Sequence, residues 1–119
     1  MAATPDPASF LPLTPPLFQV LVSLADGDRH GYAILKDIED RTGGSVRLST
    51  GTLYGIIKRL LADALVFDVT LRRPADDERR RYYRLTPLGR QVALAETERL
   101  ERAVAQARAT LRLRKSHSS

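Results

Sequence analysis

Past Gly89, nothing between Arg90 and Leu113 interrupts a helix: the stretch holds neither glycine nor proline. Thr86-Pro87 supplies a start, a hydroxyl cap followed by a residue that needs no amide donor. A helix over 87–113 is roughly 40 Å long at 1.5 Å per residue. The residues that precede it are too few to build a body that covers such a length. Its apolar and small positions Ala93, Thr97, Leu100, Val104, Ala107 and Leu111 are spaced 4, 3, 4, 3 and 4. That is a heptad seam, and the partner it calls for is a second copy near a two-fold axis. The chain therefore reads as a small body with a dimerisation helix.

The body is built from short elements. Residues 1–13 are proline-rich and read as an arm, with Phe10, Leu11 and Leu13 able to dock. Thr14-Pro15-Pro16 opens a first helix with Leu17, Val20, Leu21 and Leu24 on one face, ending at Asp26-Gly27. A second helix runs from His30-Gly31, with a stripe of Ile34, Leu35 and Ile38, to Gly43-Gly44. Ser49 caps a third, which carries Leu53, Ile56, Ile57 and Leu60 inward and extends to about Ala62. Phe67, Val69 and Leu71 then alternate with polar residues, as do Arg81, Tyr83 and Leu85. Two half-buried strands follow, joined by a charged turn over 73–78.

Charge is distributed unevenly. Residues 1–44 hold three basic and six acidic side chains, and residues 45–90 ten and five. Residues 91–119 hold six and three. Sixteen of the 19 cations are arginine, whose planar fork suits phosphate. The polyanion-facing surface is thus expected in the middle segment. Cysteine is absent, which excludes disulfides and thiolate metal sites and fits a reducing compartment. The apolar runs are shorter than a membrane span requires, and the acid and prolines of the N-terminus do not read as a signal peptide. The two histidines, His30 and His117, form no metal constellation, and Ser49 has no local base. No catalytic residue, metal or cofactor is expected, and the chain does not read as an enzyme.

Three short helices, a hairpin and a long helix are the order of a winged helix-turn-helix: mainly α with a small β-hairpin. The expected divisions are an arm over 1–13, a DNA-binding domain over 14–86, a dimerisation helix over 87–113 and a disordered basic tail over 114–119. The third helix would present Ser49, Thr50, Thr52, Tyr54, Lys58 and Arg59 to the major groove of double-stranded DNA. Arg79, Arg80, Arg81 and Arg84 of the hairpin would reach phosphate. Plainer readings stand beside these. Tyr54 could lie over the core edge, Ser49 could only cap, and the arginines could pair with Asp76, Asp77 and Glu78. His30 reads as a cap or a packing residue. A winged-helix protein-interaction module without specific DNA binding is the alternative.

Four motifs in order carry a family resemblance. Leu17-Phe18-Gln19-Val20-Leu21, His30-Gly31-Tyr32-Ala33-Ile34, Leu48-Ser49-Thr50-Gly51-Thr52-Leu53-Tyr54 and Arg80-Arg81-Tyr82-Tyr83-Arg84-Leu85-Thr86-Pro87-Leu88-Gly89 resemble those of PadR-like transcriptional regulators. The likeness spans about residues 14–113. It implies a dimeric winged-helix DNA binder, usually a repressor; a symmetric dimer would take a palindromic operator, in the cytoplasm to which the composition points. Some members sense small aromatic compounds, so a small-molecule effector is among the implied partners. Ala64 departs from the glycine usual after the recognition helix, which implies local strain. Thr50 and Gly55 stand where proline often occurs. The single C-terminal helix resembles the shorter branch of the family, without a separate effector domain.

Overall fold

A computed structural model describes residues 4–70 and 80–117, with side chains as far as Arg112. The helices are α1 (Pro15–Ser23), α2 (Gly31–Arg41), α3 (Thr50–Ala62) and α4 (Pro87–His117). The strands are β1 (Arg29–His30), β2 (Val66–Asp68) and β3 (Tyr82–Leu85). Thr14 and Ser49 cap as their positions dictate, accepting from the amides of Leu17 and Thr52. His30 caps α2 through ring Nδ1, which accepts from the Ala33 amide at 3.2 Å. α1 stops at Ser23, short of Asp26. Its end tightens instead, with the amides of Leu24 and Ala25 donating to the carbonyls of Leu21 and Val22. The core joins Val20, Leu21 and Leu24 to Ile34, Ile38, Leu53, Ile57 and Leu60, all but sealed from solvent.

The sheet has three strands in the order β1-β3-β2, where the sequence predicts two. β3 pairs with β2 as expected for a hairpin, with Val66 opposite Leu85 and Asp68 opposite Tyr83. On its other edge Arg29 and His30 pair with Tyr83 and Tyr82. Two residues are too few to show an alternation, so β1 leaves no periodic trace. The inward set of β2 also differs from the expected one. Val66 and Val69 are buried, and Phe67 is half-buried. Beyond the strand the chain turns locally, the Asp68 carboxylate accepting from the Thr70 amide at 2.8 Å and from its hydroxyl. Val69 is buried as its place in the alternation predicts, while Val66 takes the inward place expected of Phe67. Leu71, Arg79 and the expected turn over 73–78 lie outside the described residues.

Thr86 ties α4 to the end of α3. Its hydroxyl donates to the Ala64 carbonyl at 2.7 Å, and its amide to that of Leu65 at 3.1 Å. Gly89 makes this approach feasible, because a Cβ there would sit 2.0 Å from the Leu65 carbonyl oxygen. Val92 and Glu96 are buried, and Leu88 and Ala93 pack on the core. The arm forms a short 3-10 turn over Pro7–Phe10, and Phe10, Leu11 and Leu13 pack on the body. The Leu13 amide donates to Glu96 at 2.6 Å. α4 continues to His117, past the expected end at Leu113, so 114–117 are helical rather than a disordered tail. The radius of gyration is 17.4 Å, against about 13.5 Å for a compact chain of this length. The excess is the projecting part of α4.

Candidate nucleic-acid interface

α3 separates its residues by face. Leu53, Ile57 and Leu60 are buried, while Thr50, Gly51, Tyr54, Gly55 and Lys58 are exposed. Nothing lies within 4 Å of where a Cβ would project from Gly51 or Gly55. Each glycine weakens an isolated helix by about 1 kcal/mol, so the open face is maintained against propensity. Ser49 Oγ serves the helix itself: it accepts from the Thr52 amide at 3.1 Å and donates to the Thr52 hydroxyl at 2.9 Å. Arg59, near the far end, is 3.8 Å from Asp63.

Tyr54 lies against the start of α2 and keeps an open side. Half of it is exposed, and its phenol lies over Gly31 at the start of α2. A Cβ on Gly31 would stand 2.9 Å from the phenol oxygen. The chain therefore keeps Gly31 bare so that Tyr54 can lie flat across the helix-turn-helix. A cleft of about 250 Å³ opens there, between α2, Tyr54 and the wing residues Arg80 and Arg81. His30 and Tyr32 line it too. Nothing in the sequence marks Tyr32 for this place, since the arginines opposite it arrive only with β3. The His30 ring meets Tyr82 edge-on at 5.4 Å and is 3.0 Å from Arg80 through Nε2.

The wing arginines do not share one environment. Arg80 and Arg81 are exposed at the cleft, and Arg81 donates to Asp68 at 2.9 Å. Burial pushes the Asp68 carboxyl up, but hydrogen bonds from Thr70 and Arg81 outweigh it and hold the group below its ordinary value. Arg84 is engaged elsewhere, making two parallel bonds to Asp28 at 2.7 and 2.8 Å. Its guanidinium also stands over the Phe67 ring at 5.6 Å. The acids expected to partner the arginines, Asp76 to Glu78, lie outside the described residues; Asp28 and Asp68 take that part.

On α4 the heptad seam begins inside the body and leaves it. Ala93 packs on the core, and the Thr97 hydroxyl donates to its carbonyl at 2.9 Å. Leu100, Val104 and Leu111 are 38%, 49% and 65% exposed, and Ala107 is exposed as well. Leu100 and Val104, with Phe18 of α1, Thr97 and Ala105, border an apolar groove of about 480 Å³, rimmed by Glu101 and Arg108. Among the described residues no cluster of three metal-ligating side chains occurs, and no helix is long and apolar enough to cross a membrane.

Residues 20–95 match the model of the transcriptional regulator PadR-like family. The chain is 43% identical over 84 residues to an uncharacterized protein of a Streptomyces fradiae transposon, covering 70% of this chain and 22% of that protein. It is 41% identical over 80 residues to a transcriptional regulator of Mycobacterium tuberculosis, covering 67% and 69% of the two chains. It thus spans 22% of the first relative's length and 64% of another, from Lysinibacillus sphaericus. A solved transcriptional regulator from Clostridium thermocellum superposes with a TM-score of 0.67 at 27% identity, over 78% of this chain and 89% of that one.

Proposed function

The chain belongs to the PadR-like family of DNA-binding transcriptional regulators, and from that premise we propose that it is a dimeric repressor acting on a palindromic operator. The observation that carries this reading is the open face of α3 beside the cationic cleft. Thr50, Tyr54 and Lys58 stand out from a helix whose two glycines leave room above them. Bases and sugars can approach this face closely, as insertion into the major groove requires. Ser49 and Thr52 fix the start of the helix, and Arg59 lies toward its end. Arg80 and Arg81, with Arg79 beyond the described residues, supply phosphate contacts that set register without reading sequence.

Dimerisation through Leu100, Val104, Ala107 and Leu111 gives the apolar seam a partner. Ala93 and Thr97 mark where the seam meets the body. Two copies would then place their α3 helices in successive major grooves, about 34 Å apart. A second copy laid over the Phe18 groove encloses an apolar space suited to a small aromatic effector. Such a ligand alters DNA affinity only by favouring one spacing of the recognition helices. The protein works in the cytoplasm, without a cofactor, and catalyses no reaction.

A gel shift with salt titration, on DNA selected from genome fragments, tests the reading. Arg80→Ala should weaken every DNA sequence alike and lower the log-affinity against log-salt slope by about 2 in a dimer. Tyr54→Ala should cost about 1–3 kcal/mol on the operator and little on random DNA. If both variants leave salt-dependent binding intact, DNA recognition lies elsewhere. A chain that binds no DNA would be an interaction module.

A further inference from the structure

We infer that Asp28 and Arg84 form a positioning pair that sets the wing against the helix-turn-helix, so that Arg84 acts in DNA binding through geometry and not as a phosphate contact. The inference rests on the DNA-binding reading above. The antiparallel register of β1 and β3 places Arg29 opposite Tyr83 and His30 opposite Tyr82. Continued by one position, it sets Asp28 opposite Arg84. The ion pair therefore extends a two-residue ladder at its outer end. A ladder that short holds little by itself. Two parallel bonds to one carboxylate fix the plane of the guanidinium as well as its distance. The same guanidinium rests on Phe67 of β2, its cross-strand neighbour. One side chain thus joins both outer strands of the sheet.

The position of this joint matters because β1 runs directly into α2, whose first residue Gly31 lies beneath Tyr54. β3, in the other direction, carries the chain back to Arg81 and Arg80. The Asp28 side chain is only 13% exposed, so the bond is partly shielded from water. Displacing it moves the wing arginines relative to α3 without touching either.

Two substitutions separate the competing roles. Asp28→Asn removes an acid from a DNA-facing protein and frees Arg84. If Arg84 contacts phosphate, affinity rises. If the pair positions the wing, affinity falls, by roughly tenfold for residues coupled through one network. Arg84→Lys keeps the charge and loses the fork, and should weaken binding as much as Arg84→Gln does. In an Arg81→Ala background the effect of Arg84→Lys should shrink to less than half, a coupling that a change in stability alone does not produce. Thermal melts confirm that each variant is folded at the assay temperature. Where Asp28→Asn is not, Asp28→Glu retains both charges, breaks the paired geometry and should weaken binding likewise. Unchanged or tighter binding by the Asp28 variants, or full additivity of Arg84→Lys with Arg81→Ala, overturns the inference. If the unmodified chain shows no salt-dependent DNA binding, the parent reading fails and takes this one with it.

Discussion

Helices α2 and α3 end in the same motif with different residues. After α2 the left-handed position is Gly43, at φ +59°; after α3 it is Ala64, at φ +58°. Both ends close with paired bonds, Gly44 to Glu39 and Gly43 to Asp40 in one, Leu65 to Leu60 and Ala64 to Leu61 in the other. The alanine is held in a conformation that its Cβ disfavours. Ala64→Gly should raise stability by about 0.5–1 kcal/mol, read as a higher melting temperature. A lower one would mean that the Ala64 methyl contributes packing that outweighs the strain. At Gly89 the sign is reversed. Its missing Cβ admits the Leu65 carbonyl, so Gly89→Ala must push α4 off the turn. We expect a loss of about 3 kcal/mol or more, measured by urea denaturation.

The arm and α4 depend on a buried carboxylate. Glu96 is 1% exposed, accepts from the Leu13 amide, and is paired with Arg99. The hydrogen bond from Arg99 holds the Glu96 carboxyl below its ordinary 4.5, against burial and with help from the Leu13 amide. A carboxyl lowered by folding stabilises the fold above its unfolded value, and that stability is lost as the pH falls through the lowered value. Glu96→Gln should therefore destabilise at neutral pH by about 1–3 kcal/mol. The gap between the two proteins should narrow as the solution becomes acidic, and urea midpoints at several pH values measure it. A constant gap would show that the charge of Glu96 contributes nothing to docking the arm.

For the whole molecule, the dominant fact is a helix that runs on beyond the body that bears it. α4 has 31 residues, about 46 Å, and the molecule extends 64 Å along its longest axis. Leu100→Asp combined with Val104→Asp should yield a folded monomer in sedimentation equilibrium, because two carboxylates per copy cannot be buried unpaired across a seam. A double variant that stays dimeric would place the interface elsewhere. Phe18 gives a finer check. It lies on α1 yet borders the α4 groove, so Phe18→Ala should weaken the proposed dimer in the same measurement while leaving the core residues untouched.

What the sequence alone determined was local. Caps at Thr14 and Ser49, the bounds of α3 and the open face with Gly51 and Gly55 follow from neighbours within one or two helical turns. The four motifs sufficed for the family because their residues are read one after another. What only the tertiary structure decided involves partners far apart in the chain. Arg84 meets Asp28 across 56 residues, and Leu13 meets Glu96 across 83. β1 exists only because β3 passes beside it. An arginine on a polar strand face looks the same in sequence whether it meets phosphate or a carboxylate. The choice depends on which acid the folded chain brings within hydrogen-bonding distance, and sequence spacing does not encode that.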